Sequence, residues 1–234
     1  MTLTATPGVL CIETTDRSCY DCAVKRNPQA HQEIVDRALS LAHEIGLEGL
    51  SLGILAAALK RSKSGLFAHF RSKEELQLEV LQEVIARFTN TVVAPALAQP
   101  RGEPRLRKLF EGYLGWIRGH ARNGGCMLMA LAQEFDDRPG PVRDLLVQRM
   151  GDWQKTIARV ARSAVEEKYF RENLDTQQFA YEMMGIAMAF QHTNKLLKDS
   201  RAGRRAQEAF EELLARGRPS PRGNLRRKSS LKAA

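Results

Sequence analysis

From residue 30 onward apolar residues return at intervals of three and four, the spacing that lays one stripe along an α-helix. Ile34, Ala38, Leu41, Ala42 and Ile45 mark a first amphipathic helix, and Gly46 stands where a left-handed C-terminal cap belongs. Ser51 then precedes a short apolar stretch, Leu52 to Leu59, and Ser62 precedes another, Lys63 to Phe70. Each serine suits an N-cap, because its hydroxyl can accept from a first-turn N–H that has no helical partner. Ser72-Lys73-Glu74-Glu75 has the form of a capping box, the serine accepting from the Glu75 N–H while the Glu75 carboxylate reaches back. It opens a longer helix faced by Leu76, Val80, Leu81, Val84, Ile85 and Phe88, with Pro95 and Pro100 as its stops.

The same periodicity continues in a second block. Leu106, Leu109, Phe110, Tyr113, Leu114 and Ile117 form one stripe, broken at Asn123-Gly124-Gly125. A short apolar piece, Cys126 to Phe135, runs into the turn Asp136-Asp137-Arg138-Pro139-Gly140-Pro141. Val142 to Ala164 and Asp175 to Leu197 carry two more long stripes, and Phe210, Leu213 and Leu214 a last one. No segment alternates with the period of two that a half-buried strand requires. The pattern predicts an all-α chain: an N-terminal three-helix helix-turn-helix domain, then a second, larger helical domain. The expected divisions are an arm at 1–29, a reader domain at 30–72, the helical domain at 73–216 and a basic tail at 217–234.

The two short helices make the functional argument. Leu55, Ala56 and Leu59 on one, with Leu66 and Phe70 on the other, are the apolar positions that let two helices cross closely, and a helix on either side holds them. With Leu66 and Phe70 inward, Lys63, Ser64, Phe67, Ala68 and His69 are left outward. That set suits a duplex. Lys63 and His69 reach phosphates, Ser64 and Ala68 are small enough to approach base edges, and Phe67 offers a face to sugar or thymine methyl groups. Lys73, at the start of the next helix, is placed for a further phosphate.

Net charge adds less than it first suggests. The 234-residue chain has a formal charge of +9, but seven basic residues and no acidic one lie from Arg216 onward, which leaves only +2 for the rest. The charge therefore argues for a basic tail, a solvated end or a nonspecific DNA tether, and not for a basic body. No apolar run approaches the ~18 residues of a membrane span, and the N-terminal stretch lacks the pattern of a signal peptide, so a cytoplasmic protein is expected.

Ser62-Lys63-Ser64-Gly65-Leu66-Phe67-Ala68-His69-Phe70-Arg71-Ser72-Lys73-Glu74-Glu75-Leu76 resembles the signature of the TetR (tetracycline repressor) family, and the likeness extends back through Ile34 to Ala56. The resemblance implies a homodimeric all-α repressor, released from a palindromic double-stranded DNA operator when its C-terminal domain binds a small-molecule inducer. It implies DNA contacts at Lys63, Ser64, Phe67, His69 and Lys73, with Ser51 and Arg61 nearby. Segments 124–126 and 134–139 are similar to a pattern in one branch of that family. Chains of the family often begin near the position of Val24, which leaves open whether residues before it are native. One departure stands out: the inter-helix turn usually has glycine where this chain has Lys60. A non-glycine residue at positive φ there costs on the order of 1 kcal/mol. The alternative function is a helical ligand-binding or protein-interaction protein whose reader has lost DNA affinity.

Candidate chemistry elsewhere is sparser. Trp116, His120, Cys126, Met127, Trp153, Met184 and Met188 are the expected ligand-pocket residues, since methionine and aromatic side chains suit an adaptable apolar cavity, although the same spacing also describes plain core. Met183, Ile186, Ala187 and Phe190, with Phe210 and Leu213, are the expected seam between subunits. Cys11, Cys19, Cys22 and His31 could supply four zinc donors, but only one C-x2-C pair is present, so no metal or cofactor is expected. Glu134, Asp136 and Asp137 with His120 lack a nucleophile–base pair, so no enzymatic activity is expected.

Overall fold

The computed structural model describes residues 28–119 and 125–219, and each regular element within them is helical. Helix α1 (Pro28–Ile45), α2 (Leu52–Leu59) and α3 (Lys63–Phe67) form an N-terminal three-helix unit, and α4 (Lys73–Phe88) leads out of it. The helices α5 (Ala94–Leu97), α6 (Glu103–Gly119), α7 (Met127–Glu134), α8 (Pro141–Glu166), α9 (Thr176–Gln191) and α10 (Ala202–Gly217) follow. One hydrophobic cluster runs from Ile34 and Leu55 through α4 to Phe210 and Leu214, so α4 is the shared spine of both blocks. The arm's three cysteines, His120 and most of the basic tail lie outside the described residues.

The serine caps set the helix starts. Ser51 Oγ accepts from the Ile54 N–H at 3.2 Å, Ser62 Oγ from Gly65 at 3.1 Å and Ser72 Oγ from Glu75 at 3.0 Å. The capping box closes one residue early: the Glu75 carboxylate accepts from the Arg71 N–H at 2.6 Å, ahead of the cap residue itself. Helix α3 is also shorter than its stripe predicts. It ends at Phe67, and the His69 and Phe70 N–H groups both donate to the Leu66 carbonyl. That final turn carries Phe70 into the core, where it has no solvent exposure. Ile45, predicted on the buried face of α1, is exposed.

Pro95 does not stop α4. The chain continues through a π-helical turn, Thr89–Val93, into α5, with the Ala94 N–H donating to the Thr89 carbonyl. Proline lacks an N–H and crowds the preceding turn, and the wider π turn accommodates both effects. A second π turn, His192–Leu196, extends α9.

The predicted subunit seam needs correction. Met183, Ala187 and Phe190 of α9 and Phe210 and Leu213 of α10 are buried within the single chain, and Ile186 is half-buried. Phe210 stacks on Phe110 of α6 at 3.9 Å between ring centroids. A helical stripe identifies an inward face without saying which helix covers it. The outward face of α9 carries Tyr181, 67% exposed, together with Gly185 and Met188. The basic tail also starts later than its composition suggests. Gly217 is buried, and Arg218 donates to Glu103 at 2.7 Å. Burial pushes the Glu103 carboxyl up, but Arg218 and Arg107 outweigh it and hold the group below its ordinary range.

Candidate nucleic-acid interface and interior cavities

Between α2 and α3 the chain must reverse within three residues. Lys60 does this at φ 53°, ψ 37°, in the left-handed region, with its N–H donating to the carbonyls of Ala56 and Ala57. The strain expected from a non-glycine residue here is therefore present, at about 1 kcal/mol. Lys60→Gly is expected to raise the midpoint of thermal unfolding by an amount equivalent to about 0.5–1 kcal/mol. A lowered midpoint in a calorimetric scan would show that Lys60 makes a compensating contact.

Helix α3 has one inward and one outward side. Leu66 and Phe70 have no solvent exposure, whereas Arg61, Lys63, Ser64, Phe67 and Ala68 are exposed. The Lys63 ammonium lies 5.9 Å from the centroid of the Phe67 ring, which keeps a cation and an aromatic face together on that flank. Ser64 Oγ donates to Ser62 Oγ at 3.2 Å, and Ser51, half-buried, serves as the α2 cap.

Two residues expected to face a duplex are instead engaged with the protein. His69 is half-buried; its Nδ1 lies 3.1 Å from Nδ1 of His31, and the rings stack at 5.4 Å. His31 in turn reaches Glu79 through Nε2 at 2.6 Å. An Nδ1–Nδ1 hydrogen bond needs one donor and one acceptor, so it closes with a single proton between the rings. Lys73 Nζ donates to the Glu48 carbonyl at 2.6 Å and to its carboxylate at 2.9 Å. That hydrogen bond, opposed by slight burial and aided by Gln77, holds the Glu48 carboxyl below its ordinary range. His69 and Lys73 thus brace α3 and the start of α4 against α1 and the loop that follows it.

The loop after α1 is also tied to the second block. The Glu134 carboxylate, at the end of α7, accepts from the Leu47 N–H at 3.1 Å and the Glu48 N–H at 2.7 Å. Arg138 lies 3.6 Å from Glu48, and Gln77 donates to the Leu47 carbonyl at 2.9 Å. Gly46 fits this joint twice over. Its φ is +78°, and a Cβ there would sit 2.8 Å from Glu134 Oε1. In the sequence Glu134 is one member of an acidic cluster, and its two backbone donors, 86 and 87 residues away, carry no local signal.

Two cavities lie among the helices from α4 to α9. A chamber of about 200 Å³ lies among α4, the first π turn, α6, α7 and α8, with Phe88, Leu128, Leu146 and Trp153 in its wall. A larger one, about 520 Å³, is bounded by α6, α7, α8, α9 and the second π turn, with Met129, Met184, Met188 and Lys195 in its wall. Tyr113 and Met150 belong to both walls. Of the expected pocket residues, Trp153 lines the first chamber and Met184 and Met188 the second. Trp116, Cys126 and Met127 line neither and are core. Trp116 packs edge-on to Phe88 at 5.5 Å, and burial pushes the Cys126 thiol above its ordinary range, so it serves as a packing group. Tyr113, Met150, Gln133 and Lys195 were missed, since nothing in their helical spacing separates a cavity wall from core. Among the described residues, no cluster of histidine, cysteine, aspartate or glutamate could hold a metal ion, and no helix is long and apolar enough to cross a membrane.

The chain matches known proteins along most of this fold. The sequence model described as "Bacterial regulatory proteins, tetR family" matches residues 34–80, and "Tetracyclin repressor-like, C-terminal domain" matches residues 102–210. The HTH-type transcriptional repressor DhaR of Mycobacterium sp. strain GP1 is 24% identical over 143 residues, 61% of this chain and 71% of that protein. Two solved structures share the fold. A TetR-family regulator from Cytophaga hutchinsonii has a TM-score of 0.69 at 19% identity, over 82% of this chain and 96% of that one. AibR in complex with isovaleryl coenzyme A and operator DNA has a TM-score of 0.63 at 19% identity, over 81% and 99%. The first match takes in α2, α3 and the turn at Lys60, and the second α6 to α9, which supply the rest of the cavity walls beyond α4 and the first π turn: the chain belongs to the TetR family of bacterial regulatory proteins.

Proposed function

We propose that this chain is a dimeric transcriptional repressor that leaves a palindromic operator when a small molecule enters the cavities between α4 and α9. The observation that carries the reading is the division of α3: Leu66 and Phe70 fully buried, Lys63, Ser64, Phe67 and Ala68 exposed on the opposite side. A short helix so anchored presents its flank as a rigid unit to the major groove, with Lys63 and Arg61 on phosphates and Ser64, Phe67 and Ala68 toward base edges. The reader domain is residues 30–72, and the body that binds effector and partner follows it. The role is binding, not catalysis, and its place is the cytoplasm, with the DNA. The likeness to DhaR and to AibR with its acyl thioester and operator supports this reading.

The effector acts through α7. Leu128 of that helix lines the small chamber, Met129, Ala132 and Gln133 line the large one, and Glu134 holds the Leu47–Glu48 backbone. A ligand that moves α7 therefore moves the reader. The coupling equals the ligand's differential affinity for the two arrangements.

Dimerisation uses the outward face of α9, where Tyr181, Gly185 and Met188 are exposed. A Cβ on Gly185 would meet nothing within 4 Å in the single chain, so a larger residue is tolerated by the fold but blocks close approach of a second copy. Wild-type protein on its own promoter fragment is expected to give two footprints one helical turn apart, about 34 Å or a multiple of it. Gly185→Arg is expected to elute as a monomer with unchanged helicity and to bind that fragment at least about tenfold more weakly. A dimeric Gly185→Arg protein with wild-type affinity would place the interface elsewhere. Absence of any wild-type footprint would favour the reading in which the strained turn at Lys60 has cost the reader its DNA affinity.

A further inference from the structure

The two chambers differ in chemistry, and together they describe a ligand. Trp153 is only 7% exposed, and its Nε1 has no hydrogen-bond partner. An indole N–H buried in this way is uncommon in a packed core, because the lost water bond goes unreplaced. The ring is not free to swing toward another acceptor. Phe88 meets it edge-on at 5.1 Å and Tyr113 at 5.4 Å. Trp153 forms part of the wall of the small chamber, whose remaining lining is largely apolar. Arg149 and Asp152, also in that wall, lie 3.5 Å apart and neutralise each other. The small chamber thus offers a largely apolar space with no net charge, whose wall includes one buried donor left without a partner.

The large chamber offers the opposite. Its body is lined by Met129, Met150, Met184 and Met188, while His192, Lys195 and Lys198 are contributed by and just beyond the second π turn. Among the described residues, no acidic one belongs to its wall. Asp199, next in sequence to Lys198, is held by Arg205 at 2.7 Å and Arg201 at 3.5 Å. Tyr113 and Met150 stand between the chambers, and the unbranched Met150 side chain can shift to join them. Each chamber is flanked by one of the two π turns, a local widening found often at binding sites.

We propose that the effector is an amphipathic anion, with a carboxylate or phosphate head at Lys195 and Lys198 and an apolar body that carries a hydrogen-bond acceptor to Trp153 Nε1. The proposal rests on the reading that the cavities take a small molecule, and adds its chemical class. Together the chambers fall in the ~300–1,000 Å³ range of small-molecule sites. The head stays near solvent at the lysines while the body enters the protein, the arrangement that leaves least charge to desolvate.

Calorimetric titration of the full-length protein with four probes tests this: decanoate, decyl phosphate, 9-oxodecanoate and 2-decanone. The acids are expected to bind at least about tenfold more tightly than the neutral ketone, and 9-oxodecanoate about fivefold more tightly than decanoate. Decyl phosphate beside decanoate tells which head the lysines prefer, and either preference fits. The double variant Lys195→Ala/Lys198→Ala is expected to bring the acids to the level of the ketone. Trp153→Phe, which keeps the ring packing, is expected to remove only the advantage of the keto acid. No saturable binding of any probe, tightest binding of the ketone, indifference to the lysine variant, or a keto acid no better than decanoate would each overturn the proposal. Operator binding without added ligand is measured on the same preparation: if it holds while the acids fail, the ligand class is wrong and the repressor reading stands.

Discussion

Glu134→Ala is expected to separate effector binding from DNA release. In the wild type, one carboxylate at the end of α7 accepts two backbone N–H groups from the loop that follows α1, at 3.1 and 2.7 Å. Hydrogen bonds to a charged group contribute about 1.5–3 kcal/mol each. This joint is thus of the same order as the ~1–3 kcal/mol that couples two sites in an allosteric protein. Without it, α7 moves with the ligand but no longer draws Leu47 and Glu48 along. The operator affinity ratio with and without saturating decanoate should therefore fall toward one, a change of about 5- to 150-fold, while decanoate affinity in the absence of DNA stays within about twofold. Gly46→Ala reaches the same joint from the other side. Its Cβ would stand 2.8 Å from Glu134 Oε1 at a φ of +78°, so it should uncouple as well and lose about 1–3 kcal/mol of stability besides. A Glu134→Ala protein that releases DNA with the wild-type ratio would show that the signal travels along α4 instead.

Phe70→Ala is expected to melt the reader while leaving the C-terminal bundle folded. Phe70 has no exposed surface and packs on His31 of α1 with ring centroids 5.3 Å apart, so its removal leaves a cavity against α1. Truncating a buried phenylalanine costs about 3–5 kcal/mol, much of what a small domain has available. The His31–His69 contact lies on the same side and goes with it. In hydrogen exchange, amides of α1 to α3 should lose protection while those of α8 to α10 keep theirs, and operator binding should disappear. Leu66→Ala, at a neighbouring fully buried site, should follow with about 2–5 kcal/mol. If Phe70→Ala bound the operator within about twofold of wild type, α3 would be held by something other than this anchor.

Local chemistry was readable from the chain; contacts between distant segments were not. Ser51, Ser62 and Ser72 announce helix starts because a cap needs only a hydroxyl and an N–H three residues on. Lys60 at the turn was legible for the same reason, since the reversal leaves one backbone conformation open. Leu66 and Phe70 could be placed inward from spacing alone. The direction of His69 could not, because His31, 38 residues earlier, determines it. Lys73 likewise looks like a phosphate ligand until Glu48 is brought beside it. The spacing of Met183, Ala187 and Phe190 marks an apolar stripe but not its partner, and α8 and α10 within the chain, not a second subunit, cover α9. The π turn at Thr89–Val93 escaped notice because Pro95 signals a stop and gives no hint that a wider turn can carry the chain past it.

The orientation of α3 is tested most directly by titrating the protein's own promoter fragment over a range of salt concentrations with wild type, Lys63→Ala and Phe67→Ala. Lys63→Ala should weaken binding and flatten the dependence of log affinity on log salt by about one. Phe67→Ala should weaken it with the slope unchanged, because the ring carries no charge. Identical affinity and slope for wild type and both variants would mean that the exposed flank of α3 does not face DNA.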